Sequence, residues 1–356
     1  MKDKIKIGII GTGGISCNHI EGYQKNPHAE VAALCDINPN RLQFMGEKYG
    51  VEKRYASAAE MLEKEPGLDA VSVCTWNSEH APMTIAALNA GKHVLCEKPM
   101  STSAAAARDM LATAQKNKKL LMIGFVRRFG NDCRILKDYI DQDFLGDIYY
   151  AKATYLRRHG NPGGWFGDKA RSGGGPLIDL GVHVIDLSRY LMGNHRPVSI
   201  YGATFQKLFN RPTIKDFKGY AASSAASEAK ELCDVEDLAA AMIRFDNGAV
   251  LQVEASFSLN IKNDTGELQF FGDKGGAKLS PELEMYTELN GYLTDIKLNA
   301  PTALSFSGLF DAEINHFVDC VKNGTPCRAP AEDGLEIMRI LDGVYESARL
   351  GREVVL

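Results

Sequence analysis

Two residues four positions apart carry the sharpest chemical signal in the chain. They lie in Ser172-Gly-Gly-Gly-Pro-Leu-Ile-Asp179-Leu-Gly-Val-His183-Val-Ile-Asp186. Pro176 suits an early helical position. A single helix over Pro176–Leu191 then puts Asp179, His183 and Asp186 at i, i+4 and i+7 of one face. A polar stripe on an otherwise apolar helix is costly to bury without a purpose. A carboxylate beside an imidazole orients it and raises its basicity, which makes a general base near neutral pH. The triple glycine before the helix is expected to give a ligand close access. The alternative is a satisfied structural Asp179–His183 pair, and Asp186 reads as a structural partner.

Lys98 is a second centre. It stands between Glu97 and Pro99 at the tip of an apolar run, an odd place for a solvated charge. A positioned ammonium there would stabilise a developing alkoxide. The alternative is a surface lysine in a loop. Pro99 fixes the local backbone and is a candidate for a cis bond. Another apolar run ends in Thr75-Trp-Asn-Ser-Glu-His80. Ser78 is expected to cap a helix beginning near Ala81, with cofactor contacts from the same loop.

The third centre is Gly11-Thr12-Gly13-Gly14-Ile15-Ser16, after an apolar strand and before a helix. Gly11 allows the tight turn and Gly13 lets backbone approach a pyrophosphate. The helix N-terminus adds free N–H groups and a positive dipole end. Ser16 replaces the usual third Gly or Ala but is still small. Asp36 ends the next strand, about 20 residues on, where an acidic side chain binds the adenosine ribose hydroxyls. That carboxylate repels a 2′-phosphate and favours NAD. Arg41 can reach a phosphate, which keeps NADP as the alternative. A merely solvated Asp36 is the structural alternative.

The elements that must position these residues change character along the chain. Residues 1–125 alternate short apolar strands (Lys4–Ile10, Glu30–Cys35, Ala70–Thr75, His93–Glu97, Leu120–Phe125) with helices, for example Pro39–Tyr49, Ala58–Lys64, Ala81–Ala90 and Ala104–Lys116. That pattern implies parallel βαβ units, and ligands bind beyond the carboxyl ends of such strands. The Ser-Thr-Ser run at 101–103 offers an N-cap and Gly91 a C-cap. Residues 126–356 read as an α+β domain. Longer, alternating strands run over Ile148–Tyr155, Ser199–Gln206, Leu238–Phe245, Ala249–Ser256 and Leu268–Phe271. Asp246-Asn-Gly248 and Gly272–Gly276 read as turns. Further helices are expected at Ile135–Asp141, Phe310–Lys322 and Glu332–Arg349. Tyr220–Lys230, rich in Ala and Ser, reads as a surface insertion or short helix.

Other polar residues are less specific. Arg127 and Arg128 follow the last strand of the first domain and are candidates to point into an interdomain cleft. Trp165 is either a sugar platform or packing. His19, His28, His93, His195 and His316 have no sequence neighbours that suggest chemistry.

Composition narrows the field. The chain has 356 residues, enough for two domains and a core without staples. Net charge is −4, against general binding of nucleic acid or anionic membranes. No apolar run approaches the ~20 residues of a membrane helix. The start shows no signal-peptide pattern, so a cytoplasmic protein is expected. Eight scattered cysteines without a C-x-x-C pair read as reduced thiols, and no metal-ligand spacing stands out.

Together these motifs resemble those of the glucose–fructose oxidoreductase / inositol dehydrogenase / rhizopine catabolism family (Gfo/Idh/MocA). They are Gly11-x-Gly13 with Asp36, Thr75-Trp-Asn77-x-x-His80, Glu97-Lys98-Pro99, and Gly173-Gly-Gly-x-Leu-Ile-Asp179-x-Gly-x-His183-x-x-Asp186. The resemblance spans essentially the whole chain. It implies a Rossmann domain followed by an α+β domain with a large open, mainly antiparallel sheet, and a homodimer or homotetramer. It implies a nicotinamide cofactor held by residues 11–15, Asp36, Arg41, Thr75, Trp76, Asn77, His80, Glu97 and Lys98. A sugar, polyol or glycoside would meet Lys98, Arg127, Trp165, Asp179 and His183. By that resemblance Lys98 holds the reacting hydroxyl, His183 is the base and Asp179 is its partner or a substrate ligand. Trp76 departs from the family's frequent Pro. Two rivals stay open: an NAD-dependent glycosidase or lyase with no net NADH, and a non-catalytic NAD-binding regulator.

Overall fold

The computed structural model describes residues 4–208, 214, 233–280, 282–299, 302 and 305–356. The Ala- and Ser-rich stretch Tyr220–Lys230 lies outside the described residues. The chain forms two compact units. One is Met1–Phe129 with Ser305–Met338; the other is Gly130–Leu304 with Arg339–Leu356.

The first unit holds a six-stranded parallel sheet in the order β3-β2-β1-β4-β5-β6. Its strands are β1 (Ile5–Ile10), β2 (Ala29–Cys35), β3 (Arg54–Tyr55), β4 (Ala70–Val73), β5 (His93–Glu97) and β6 (Leu121–Gly124). The apolar runs become strands because β4 and β6 are buried along their whole length. Strand order reverses beside β1, so the loops after β1 and β4 flank the switch point, where ligands bind in such sheets. Local chemistry sets several helix ends. Asn38 caps Pro39–Tyr49 by accepting from the Asn40 and Arg41 N–H groups, and Gly50 ends that helix at φ 69°. Ser103 caps Ala104–Asn117 as expected.

A single break after residue 125 misses one feature. The Phe306–Asn323 helix returns to the first unit and packs on the Ser16–Lys25 helix. Gly22 makes that approach possible, since a Cβ there would lie 3.0 Å from Ile314 Cγ1. Lys25 pairs with Asp311 at 2.8 Å, and Asn26 Nδ2 donates to Asn315 Oδ1 at 2.7 Å.

The second unit is built on a nine-stranded sheet, ordered β14-β13-β12-β11-β7-β10-β9-β8-β15. The strands are β7 (Ile148–Leu156), β8 (Pro197–Phe205), β9 (Leu238–Phe245), β10 (Val250–Ser256), β11 (Thr265–Gly272), β12 (Gly275–Leu279), β13 (Glu284–Leu289), β14 (Tyr292–Ile296) and β15 (Val354–Val355). β7 and β10 pair in parallel, and the other pairs are antiparallel. The expected turn at Gly272–Gly276 is tighter than read, because β12 already starts at Gly275. The β13–β14 hairpin is absent from the sequence reading. Its signal is Asn290-Gly291, both at positive φ (55° and 85°), which suits a type I′ turn.

Candidate active site

The glycine loop sits directly against the end of β4. Gly11 has φ +88°, and a Cβ there would come within 2.6 Å of the Cys74 carbonyl oxygen. Only glycine fits that turn. At Gly13 a Cβ would meet nothing within 4 Å, so the loop presents bare backbone beside Gly14 and Ile15. The Ser16–Lys25 helix follows with no side-chain cap and no acidic residue in its first turn. The positive dipole end there suits an anion, while the Cys17 and Asn18 N–H groups already donate to the Gly14 and Ile15 carbonyls.

Asp36 ties this loop to β2. Its Oδ2 accepts from the Thr12 N–H at 2.6 Å and the Thr12 hydroxyl at 2.8 Å, and its Oδ1 accepts from the Asn38 N–H. Arg41 is turned to the loop itself. Its Nε donates to the Thr12 carbonyl at 2.6 Å and its Nη2 to the Gly13 carbonyl at 3.2 Å. The loop is thus braced from both sides, with the Gly11 and Thr12 N–H groups taken by the Cys35 carbonyl and Asp36. These residues fit a dinucleotide.

After β4 the helix begins at Asn77, not near Ala81. Trp76 is its N-cap residue and no side chain caps it, so Ser78 is not the cap. Asn77 is buried and Thr75 and Trp76 are half-buried. His80 is buried, with Nδ1 2.6 Å from the Pro99 carbonyl and Nε2 3.2 Å from that of Thr75. It clamps the loops after β4 and β5. Burial pushes its pKa down, against the opposing pull of the Pro99 carbonyl and Glu97.

At the end of β5 the Lys98–Pro99 bond is cis and Lys98 is half-buried. The Lys98 N–H donates to Glu97 Oε2 at 3.1 Å, while Glu97 Oε1 lies 2.8 Å from His19 Nε2. His19 Nδ1 is 3.3 Å from the Ser72 hydroxyl, which bonds Tyr23 at 2.8 Å. Burial would raise the Glu97 pKa; the His19 bond and the nearby Lys98 and His80 outweigh it and hold it below the ordinary value. His19, without a sequence neighbour that suggests chemistry, thus gains Glu97 and Ser72 as partners in the fold. Its signal was the helical spacing of Ser16, His19, Ile20 and Tyr23, all buried on one face.

Arg127 and Arg128 part company in the short turn Val126–Phe129. Arg127 is half-buried, whereas Arg128 is 2% exposed and donates to Asp333 Oδ2 at 2.8 Å and to the Arg328 carbonyl at 2.6 Å. Arg128 is structural, because a buried guanidinium needs those acceptors.

In the second unit the Gly-rich segment departs from one regular helix. Leu177–Gly181 is wound as a π-helix and Val182–Leu191 as an α-helix. Such insertions recur at functional sites. Between Gly174 and Arg189 every residue is buried except Asp179 and His183. Asp186 is 1% exposed, whereas Asp179 and His183 are half-buried. The triple glycine has a structural cause in place of the expected ligand access. A Cβ at Gly174 would meet Tyr345 Oη at 2.0 Å, and one at Gly175 the Glu236 carbonyl oxygen at 2.4 Å. The Glu236 carboxylate accepts from the Gly175 and Leu177 N–H groups at 3.0 and 3.2 Å and from Tyr345 Oη at 2.9 Å. Burial pushes its pKa up. Neither Glu236 nor Tyr345 carries a sequence signal of this role. Trp165 is half-buried and stacks on Phe166 at 4.0 Å.

Spacing along the sequence displays no metal-ligand group, but the fold draws three donor side chains together. His316, Cys320 and Cys327 offer ligand atoms within 4.8 Å of one another.

Residues 5–125 match the family model described as an oxidoreductase family, NAD-binding Rossmann fold, and residues 137–356 its C-terminal alpha/beta domain. The chain is 34% identical to D-glucoside 3-dehydrogenase of Escherichia coli (strain K12), over 99% of this chain and 97% of that protein. It is 29% identical to myo-inositol 2-dehydrogenase of Thermotoga maritima, over 93% and 92%. Among solved structures, aldose-aldose oxidoreductase from Caulobacter crescentus, complexed with glycerol, superposes with TM-score 0.81 at 27% identity, over 99% of this chain and all of that one. Levoglucosan dehydrogenase in complex with NADH shares the fold at TM-score 0.86 and 23% identity, over 99% of each chain. With both of its domain models matched and a full-length relative above 30% identity, the chain belongs to the Gfo/Idh/MocA oxidoreductase family.

Proposed function

We propose that this chain is an NAD-dependent dehydrogenase acting on a secondary hydroxyl of a sugar, polyol or glycoside. The observation that carries the reading is the selective accessibility of Asp179 and His183 on an otherwise buried helix. Burying the neighbours while leaving one acid and one imidazole partly accessible is what a proton-transfer pair needs. The relatives named above, whose own names describe glucosides, inositols and aldoses, support the substrate class.

In this reading the loop of Gly11, Thr12, Gly13, Gly14 and Ile15 holds the pyrophosphate of NAD, and Asp36 holds the adenosine ribose. Thr75, Trp76, Asn77 and Glu97 contact the nicotinamide half. NAD, when bound, supplies the carbon that accepts a hydride from the substrate. His183 removes the hydroxyl proton, with Asp179 as its partner or as a substrate ligand. Lys98 steadies the oxygen as charge develops on it. Glu97 orients the Lys98 backbone, and His80 holds the loops that carry Thr75 and Pro99. Arg127 and Trp165 contact the sugar. A homodimer or homotetramer in the cytoplasm completes the proposal.

The test incubates purified protein with excess NAD and a panel of polyols, aldoses and glycosides. NADH absorbance and product mass are read from the same wells. NADH with a keto product is the expected result. Substrate consumed with no net NADH would replace the reading with a transient-oxidation lyase or hydrolase.

A further inference from the structure

His316, Cys320 and Cys327 form a cluster that the proposed chemistry does not use. The first two stand at i and i+4 near the end of the Phe306–Asn323 helix, so they share a face. Gly324 then takes φ 72° and caps that helix, which turns the chain back along it. The return brings Cys327 to the same face. One ring nitrogen and the two sulfurs lie within 4.8 Å of one another, and Cys320 Sγ is 3.3 Å from His316 Nε2. Cys320 is buried while His316 and Cys327 are half-buried, so an ion would have a route in from the surface.

We propose that these three side chains bind one thiophilic divalent cation, with Zn²⁺ the best match. The donor set is two sulfurs and an imidazole with no carboxylate, which selects zinc-like ions over Mg²⁺ or Ca²⁺. Tetrahedral zinc with Zn–S near 2.3 Å and Zn–N near 2.0 Å needs ligand atoms roughly 3.5–3.8 Å apart. The 3.3 Å Cys320–His316 pair must open slightly, and the wider separations, none beyond 4.8 Å, must close. Three protein ligands leave the fourth position to water. The Arg328 N–H donates to His316 Nε2 at 3.0 Å. Binding through Nε2 exchanges this hydrogen bond for the metal bond and releases the two thiol protons.

The site would clamp the helix to the returning segment. That segment is itself laid on β6: the Ile123 N–H donates to the Ala329 carbonyl at 2.9 Å, and Pro330 bridges to Met122. The cation would therefore brace the edge of the parallel sheet. This inference does not depend on the dehydrogenase reading.

The full chain, reduced and stripped with a chelator, is titrated with Co²⁺ and then with Zn²⁺. The expected result is one Co²⁺ per chain with a sulfur-to-metal charge-transfer band, which Zn²⁺ abolishes. Cys320→Ser and Cys327→Ser should each weaken Zn²⁺ binding by more than about 100-fold, beyond the loss typical of outer-shell changes. Cys233→Ser should bind as wild type. An independent reading needs no variant: Zn²⁺ should shield Cys320 and Cys327 of the native protein from alkylation, read by peptide mass, while Cys17 and Cys233 stay as reactive as before. Absence of the band, its persistence in both serine variants, or equal alkylation with and without Zn²⁺ would overturn the proposal.

Discussion

The imidazole of His19, on the first helix, lies 2.8 Å from the carboxylate of Glu97 at the end of β5, and both groups are buried. The other Glu97 oxygen receives the Lys98 N–H. A residue early in the chain thereby fixes the backbone that carries the proposed substrate lysine. His19→Ala leaves a buried carboxylate short of its partner. Hydrogen bonds to charged groups contribute ~1.5–3 kcal/mol, and that is the expected loss of stability in urea unfolding. An unchanged midpoint would show that Glu97 finds another donor.

Two of the buried glutamates, Glu97 and Glu236, should give stability opposite pH slopes. Glu97 titrates below its ordinary 4.5, so its contribution is present above 4.5 and lost as pH falls through the folded value. Glu236 titrates above 4.5, so its contribution is present below 4.5 and lost as pH rises through the folded value. Relative to wild type, Glu236→Gln should gain stability as pH rises from 4.5. Glu97→Gln should lose stability over the upper part of its own transition and then level off. Urea midpoints measured at several pH values between about 3 and 7 test the signs. Parallel curves for both variants would contradict the assignment.

Glycines of two kinds should separate stability from binding. Gly175→Ala forces a Cβ to within 2.4 Å of the Glu236 carbonyl oxygen and should cost ~1–3 kcal/mol, the usual price of overpacking. Gly13→Ala meets nothing within 4 Å and should leave thermal stability nearly unchanged. It should weaken NAD binding about tenfold or more, equal to ~1.4 kcal/mol, by calorimetry. Intact NAD affinity in that variant would move the pyrophosphate elsewhere.

Lys98→Met and His183→Asn should each lower turnover by roughly 10²–10⁴. NAD affinity should stay nearly as in wild type. Full turnover in either variant would remove that residue from the reaction.

Much of this molecule is legible locally. β1 and the Gly11 turn, Asp36 at the end of β2, the Ser103 cap and Gly91 follow from periodicity and turn chemistry within a few residues. These are properties of neighbouring φ/ψ angles and need no distant partner. Asn290-Gly291 belongs in the same class, although the alternation around it is weak. What remained was decided by chain segments far apart in sequence. Gly174 and Gly175 read as a ligand's approach until Tyr345 and Glu236 fill the space beside them. Asp186 shares a helical face with Asp179 on paper, but the π-turn and the surrounding packing bury it. His19 gains Glu97 only when β5 is folded against it, and His316 meets Cys327 only when the returning chain lies beside its helix. Spacing along the sequence determines which residues share one element. Burial and hydrogen-bond partners depend on what lies across the gap, and only the tertiary structure brings that residue into place.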